Sequence, residues 1–306
     1  MGVIGIDTSN YTTSIAFFDG TGGENCSKLL PVKSGELGLR QSDAVFAHIK
    51  SLPELSGRLF SHVREEIRAV GVSTRPRAVE GSYMPCFLVG LSHATLLSNA
   101  LHVPLVEVSH QQGHVAASLW SAGHLELMDE PHLAWHLSGG TTELLLVEPE
   151  GKLVKCTKIG GTTDISAGQL IDRTGQLLGL PFPSGKHLDA LSREAAGKDF
   201  FRVKCKDMTF SFSGMQNKVQ QYFEANGDPA ETAAYALRCV AYGVFHATQQ
   251  ALKAYPGLPV VFSGGVASNS LLRQVLEPLN PIFAQPQYST DNAMGVAVLA
   301  SRCTEV

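Results

Sequence analysis

Two stretches of the chain, residues 2–19 and 133–147, share one pattern. Each opens on an apolar run (VIGID, LAWHL), passes through a Ser/Thr/Gly turn (TSNY, SGG) and returns in a second run (TTSIAFF, TTELLLV). Run, turn and run is the mark of a β-hairpin. Its recurrence in the second half of the chain, each time followed by helical patterns, predicts two related α/β lobes. The first lobe is expected over 1–127, with a C-terminal helix over 291–306 packing on it, and the second over 128–290. The stretch from Ser121 to Pro131 is read as the crossover.

A length of 306 residues suits two such lobes, and 44% hydrophobic with 17% charged residues describes an ordinary folded chain. No apolar run reaches the roughly 18 residues that span a bilayer, so no membrane segment is expected. The N-terminus reads as a strand pair, not a leader, and Ile6 stands where a myristoylation motif needs Ser or Thr. A net charge of −4 argues against a chain coated for nucleic acid on its own, and leaves room for a local basic patch or a partner that holds the nucleic acid. Six scattered cysteines without a CxxC pair predict free thiols in a reducing cytoplasm.

Along the chain, Ser42–Val70 reads as a helix-rich region broken at Pro53. A helix in the second half of 81–104 stops at Pro104. Leu105–Val108 and Pro259–Ser263 read as buried strands. Thr232–Tyr255 reads as a long helix ended by Pro256-Gly257, and Asp291–Arg302 as a final helix.

Six constellations carry chemistry. Asp7-Thr8-Ser9-Asn10 places a carboxylate and hydroxyls at an expected hairpin turn, suited to a phosphate or its metal, or to a polar turn that holds itself. Ser138-Gly139-Gly140-Thr141-Thr142 lets backbone approach a ligand closely, or forms a plain glycine hairpin. Ser263-Gly264-Gly265-Val266-Ala267-Ser268-Asn269 puts glycines at a strand-to-helix switch, a place suited to a nucleotide, without the spacing of a dinucleotide fingerprint or a P-loop. His110-Gln111-Gln112-Gly113-His114 presents two imidazoles one helical turn apart, which suits a divalent cation. An HExxH peptidase needs Glu after the first His; Gln111 stands there, which disfavours peptidase chemistry. Ser289-Thr290-Asp291-Asn292 reads as a helix cap or as the source of a third ligand, Asp291. Asp172, Gly185 and Asp189 flank a Pro-rich loop, as ribose-binding carboxylates or as solvated helix charges. Hairpin, hairpin and strand-Gly-Gly-helix is the order of the actin/Hsp70/sugar-kinase (ASKHA) superfold, two RNase H-like lobes around a nucleotide cleft.

Taken together, GIDTSNYTTSIA, VSHQQGHVAAS, LSGGTTEL, DRTGQLLGLPFPSGKHLDALS, FSFSGMQNKV, FSGGVASNSLLR and YSTDNAMGVA resemble the TsaD-type tRNA threonylcarbamoyladenosine transferase family, formerly called Gcp or O-sialoglycoprotein endopeptidases. The stretches occur in the family's order and run from residue 3 to 300. The resemblance implies an acyltransferase of tRNA processing, moving a threonylcarbamoyl group from its adenylate to N6 of adenosine 37 (t6A biosynthesis). It implies one divalent metal, Fe²⁺ or Zn²⁺, on His110, His114 and Asp291. It implies ATP or threonylcarbamoyl-adenylate as ligand, with Mg²⁺ as a companion ion. Substrate contacts then fall on Leu137, Ser138, Gly139, Gly140, Thr141, Asp172, Gly185, Asp189 and Asn269. The residue reading adds Asp7, Ser9, Gly264 and Gly265. Implied partners are tRNA, a TsaB-like homologous subunit and a TsaE-like ATPase, in the cytoplasm.

The chain departs from the family pattern in places. Gln112 stands for Glu, Thr141 for His, and Asp7-Thr8-Ser9-Asn10-Tyr11 for a Glu-Thr-Ser-Cys-Asp type run. FSFSGMQNKV carries its lysine at Lys218, and Ser73-Thr74-Arg75-Pro76-Arg77 replaces a SGPGL-like segment. A paralogue acting on another acceptor, or a non-catalytic partner-binding relative, is the alternative expectation.

Overall fold

The computed structural model describes residues 1–9, 11–31 and 39–304. In chain order its elements are β1 (Gly2–Ser9), β2 (Thr12–Phe18), β3 (Gly23–Leu29), α1 (Gln41–His62), β4 (Ile67–Arg75), α2 (Phe87–Leu101), β5 (Leu105–Ser109) and α3 (His110–Ala122). There follow β6 (His132–Leu137), β7 (Thr142–Glu150), β8 (Leu153–Thr162), α4 (Ala167–Leu177), α5 (Gly185–Ser192), β9 (Thr209–Phe210), α6 (Ser213–Asn226) and α7 (Pro229–Ala254). The chain closes with β10 (Val260–Ser263), α8 (Ser270–Leu276), β11 (Ile282–Phe283) and α9 (Met294–Thr304). The chain forms two compact units, one of residues 1–130, 148–156 and 291–306, the other of 131–147 and 157–290.

The two sheets repeat one topology. The first runs β3-β2-β1-β4-β5, with β3, β2 and β1 antiparallel and β4 and β5 parallel to β1. The second, read as β9-β8-β7-β6-β10-β11, has the antiparallel pair β7/β6 followed by the parallel strands β10 and β11, with β9 added at the other edge. The repeated hairpin patterns in the sequence are thus the two central antiparallel pairs, β1/β2 and β6/β7.

In the first unit the faces of β1 sort by parity. Ile4 and Ile6 join Leu52, Leu55 and Leu59 of α1 and Ala94 of α2 in one core. Gly5 and Gly71 face α9, where an added Cβ would collide with Ala293 and Ala297, or with Val296 and Ala300. Two small residues on neighbouring strands therefore seat the helix directly on the sheet. In the second unit, Leu133, Trp135 and Leu137 of β6 and Val260 and Phe262 of β10 bury one face against α7, and Trp135 Nε1 donates to Thr248 Oγ1 at 2.9 Å. Helix α7 starts at an Asp228 cap whose side chain accepts from Ala230 N and Glu231 N, followed by Pro229 in the first turn.

Three local expectations change. Pro53 does not break α1: it lies exposed inside a continuous helix, where the carbonyl it leaves unpaired can meet water. The expected helix-rich region also runs too far, because Ile67–Arg75 is a strand of the first sheet. Its VGV core pairs with β1, and sheet membership overrides local propensity. The final helix begins at Met294 and not at Asp291. All six cysteines are free thiols. Among the described residues no helix is long and apolar enough to cross a membrane.

Candidate functional site

The expected turn at Asp7-Thr8-Ser9-Asn10 begins later. Asp7, Thr8 and Ser9 belong to β1, with Ser9 opposite Thr12, and Asn10 lies outside the described residues. Strand alternation then separates the side chains. Thr8 turns to α2, donating to Cys86 O at 3.0 Å and accepting from Gly90 N at 3.1 Å. Asp7 turns to the opposite face and is buried, 1% exposed. Its Oδ1 accepts from Ser9 N at 2.9 Å, and its Oδ2 accepts from His110 Nδ1 at 2.8 Å.

His110 is the first residue of α3 and follows β5 directly. A capping box sets this start: Ser109 Oγ accepts from Gln112 N at 3.2 Å, and Gln112 Oε1 accepts from Ser109 N at 2.8 Å. Gln112 also donates through Nε2 to Val154 O at 2.7 Å. A glutamate has no proton to give there at neutral pH, which accounts for Gln112 where the family pattern has Glu.

One turn on, His114 brings its Nε2 to 3.0 Å from His110 Nε2. Asp291 Oδ1 lies 3.6 Å from His110 Nε2 and 3.3 Å from His114 Nε2. The Ser-Thr-Asp-Asn run divides its duties: Asn292 Oδ1 accepts from Met294 N at 3.0 Å and caps α9, which leaves Asp291 for the cluster. The crossing of α3 and α9 holds the three together. It is tight enough that a Cβ on Gly295 would overlap the Gly113 carbonyl oxygen.

Charge runs through the cluster. Burial works against a charged His110, but the Asp7 charge and the hydrogen bonds that His110 donates to Asp291 and Asp7 push its pKa up to about 10. Burial would raise Asp7, yet the His110 charge and hydrogen bond hold it below the usual carboxylate value. Asp291 is lowered well below that value, its burial outweighed by hydrogen bonds and charge from His110 and His114.

The donor separations of 3.0, 3.3 and 3.6 Å lie close to those of a bound cation, the His110–Asp291 pair being slightly wide. A cation about 2.1 Å from each of three nitrogen or oxygen donors separates those donors by about 2.9–3.4 Å. The two imidazoles and the carboxylate, all within 4.8 Å of one another, fit such a divalent ion. The Asp7 carboxylate holds the proton on His110 Nδ1, so that a bound cation, by displacing the Nε2 proton, would find that nitrogen's lone pair on the side of the other two donors.

The second unit holds the remaining expected residues. Leu137 ends β6 in the core, and the Ser138–Thr141 turn closes on itself: Ser138 N donates to Thr141 O at 2.8 Å, and Thr141 N to Ser138 Oγ at 3.1 Å. The turn docks on the start of α4, where Ser166 Oγ donates to Gly139 O at 2.6 Å and Gly168 N to Ser138 O at 3.3 Å. Gly264 has φ +91°, and a Cβ there would overlap the Leu137 carbonyl. Around Gly139, Gly140 and Gly265, by contrast, an added Cβ would meet nothing within 4 Å. Backbone there stands open at the carboxyl ends of the parallel strands β6 and β10, where ligands of open α/β sheets bind.

Asp172 and Asp189 are both engaged. Asp172 accepts from Ser184 N at 2.8 Å, and burial raises its pKa. Asp189 Oδ1 accepts from Asn269 Nδ2, Ser270 N and Ser270 Oγ at 2.8–2.9 Å, while Oδ2 takes Arg193 at 2.8 Å. Asn269 caps α8 through Leu272 N at 2.9 Å. Gly185, at the start of α5, has only Ile171 at 4.0 Å from an added Cβ.

Sequence reasoning named Asp7 without its partner and missed Asp164. Asp7 reads in sequence as a ligand-facing or turn-holding carboxylate, whereas it binds His110; the alternation of side-chain direction along a strand that continues past Ile6 is the available signal. Asp164 receives Phe212 N at 2.8 Å, Ser213 N and the Ser211 hydroxyl, and so pins the FSFSG segment at the start of α6. No local pattern connects it to a loop so distant in sequence.

Solved structures share the fold. Full-length HypF in its phosphate- and nucleotide-bound form aligns with TM-score 0.61 at 15% identity, covering 100% of this chain and 47% of that one. The (R)-2-hydroxyglutaryl-CoA dehydratase component A of Acidaminococcus fermentans aligns with TM-score 0.59 at 15% identity, covering 99% and 98%. A ROK family glucokinase from Streptomyces griseus, solved with glucose and AMPPNP, aligns with TM-score 0.55 at 11% identity, covering 99% and 100%. These likenesses bear out the α/β ASKHA-type fold. In sequence the chain is 31% identical to the tRNA N6-adenosine threonylcarbamoyltransferase of Carboxydothermus hydrogenoformans, over 96% of this chain and 90% of that protein. It is 30% identical to the protein of the same name from Thermosipho africanus, over 97% and 92%. The model of the family described as TsaD, tRNA N6-adenosine threonylcarbamoyltransferase, matches residues 41–298, and with that match and those relatives the chain belongs to the TsaD family.

Proposed function

We propose that this chain is a transferase that places a threonylcarbamoyl group on N6 of an adenosine in tRNA, and that His110, His114 and Asp291 hold a divalent metal for that reaction. Family membership over residues 41–298 is the observation that carries the reading. Two imidazole nitrogens and one carboxylate oxygen suit Zn²⁺ or Fe²⁺ better than Mg²⁺. When bound, such an ion supplies Lewis-acid polarisation of a carbonyl or phosphoryl oxygen.

The chain's own residues do the rest. Asp7 keeps the proton of His110 on Nδ1 and fixes the ring. Gly139, Gly140 and Gly265 leave open backbone for the adenylate, beside Leu137, Ser138, Thr141 and Gly264. Asp172, Gly185, Asp189 and Asn269 position its ribose and base. N6 of the target adenine attacks the carbamoyl carbon, the bond to the phosphate oxygen breaks, AMP leaves, and N6 gives up its proton. The resemblance also supports a TsaB-like subunit and a TsaE-like ATPase as partners, Mg²⁺ with ATP, and a cytoplasmic location. The paralogue reading is not favoured: relatives at 30–31% identity carry the transferase name, and Gln112 has a local structural reason.

The test is complementation of a strain lacking its own enzyme, with nucleosides of bulk tRNA read by mass spectrometry. The wild-type chain is expected to restore N6-threonylcarbamoyladenosine, and His110→Ala to fail while folding normally. Absence of the modified nucleoside with the wild-type chain rejects the reading.

A further inference from the structure

The segment from Lys198 to Lys206 (KDFFRVKCK) carries four cations and one carboxylate in a chain whose net charge is −4. Its backbone and one core side chain are pinned to α7, while the Phe201 ring stays 37% exposed. Phe201 N donates to Cys239 Sγ at 3.3 Å, Val203 is 3% exposed in the core, and Cys205 O accepts from Gln250 Nε2 at 3.1 Å. Anchoring at alternate positions turns Arg202, Lys204 and Lys206 outward, and all three are exposed. Among the described residues no ion pair engages these three, whereas Lys28, Lys158, Arg193 and Arg302 are each met by a carboxylate. The segment's own carboxylate, Asp199, is turned to the Tyr222 hydroxyl at 3.4 Å and does not neutralise the row. At the head of the row, Phe200 stacks on Tyr242 with ring centroids 4.1 Å apart and 14° between planes, yet remains 37% exposed. Lys218 lies 5.6 Å from the Phe201 ring centroid.

A row of cations without ion pairs, on a backbone anchored to α7 and beside an exposed, pre-stacked aromatic ring, is the chemistry that takes a phosphate backbone with an unstacked base. We propose that residues 198–206 form an RNA-contact surface, with Arg202, Lys204 and Lys206 on successive phosphates and Phe200 against a base. The proposal rests on the tRNA reading above and names where this chain meets that substrate.

The test measures tRNA affinity of the full chain across a salt series, for wild type and for R202E/K204E/K206E. All three side chains are exposed, so the variant is expected to keep its thermal midpoint and metal content. Its affinity is expected to fall about 10- to 100-fold at fixed salt, and the slope of log K against log salt to become shallower by about 3. Affinity within about twofold of wild type with an unchanged slope overturns the surface. A second measurement needs no variant: amine-reactive labelling of Lys204 and Lys206 in the wild-type chain is expected to drop when tRNA is added, and equal labelling overturns the proposal. Complementation separates the two claims. A wild-type chain that restores the modified nucleoside while the triple variant binds tRNA normally rejects the surface alone; one that restores nothing rejects the transferase reading.

Discussion

His110 Nδ1 donates to Asp7 Oδ2 at 2.8 Å, a bond between the first residue of α3 and a strand residue 1% exposed. The two lie 103 positions apart in sequence. Asp7 has no open path to a ligand of its own, and acts through the ring it holds.

Asp7→Asn keeps the shape and removes the charge. The amide can present a donor to Nδ1 and leaves the ring free to change tautomer. Metal affinity is expected to fall about 10- to 100-fold while the fold survives. Titration with Zn²⁺ or Fe²⁺ under competition from a chelator measures it; equal affinity would show that the ring is held by other means.

Gln112→Glu should destabilise the chain at neutral pH by about 1–3 kcal/mol, because the Val154 carbonyl loses its donor and a carboxylate is buried against it. The sign of the pH dependence follows. The new carboxyl is neutral-preferring when folded, so its folded pKa lies above its unfolded one. The deficit is then full at neutral pH and shrinks as pH falls, when the protonated acid regains a proton to donate. Urea titrations over a pH series read it.

Gly295→Ala and Gly265→Ala should separate packing from binding. At 295 a Cβ overlaps the Gly113 carbonyl, so α3 and α9 must part, at a cost of about 3 kcal/mol or more, with loss of metal binding. At 265 the Cβ meets nothing, so stability should hold while adenine-nucleotide affinity drops. Calorimetry of unfolding and of nucleotide binding on both variants checks the pair of outcomes.

Asp164→Asn tests the FSFSG anchor. Burial raises the Asp164 carboxyl, but the Ser211 and Ser213 side chains and the Phe212 and Ser213 amides outweigh it and hold the group far below its ordinary 3.8. A depressed folded pKa means stability present above 3.8 and lost as pH falls toward the folded value. Wild type is therefore expected to exceed the variant in stability at neutral pH, with the gap closing in acid. A gap that stays constant across the acid range would contradict the anchor.

Local chemistry carried much of the reading. The i,i+4 spacing of His110 and His114, the paired glycines at 139–140 and 264–265, and the repeated hairpin pattern are properties of neighbouring residues. Short-range geometry translates them directly into one helix face, two tight turns and two β-pairs. Local patterns failed where sheet membership decides. Ile67–Arg75 became a strand through pairing with β1, and Asp7 entered that same sheet when a turn was expected.

The sequence by itself determined the fold class, the family and the residue types of the His-His-Asp cluster, because periodicity and motif order survive in one dimension. Only the tertiary structure decided which neighbours those residues meet. Asp7 became the partner of His110 because strand parity points it to that face. Asp291 reached the histidines because Gly113 and Gly295 let two helices touch. Gln112 is needed for the carbonyl of Val154. Each depends on a contact between segments far apart in the chain, and such contacts are set by packing, which no local pattern encodes.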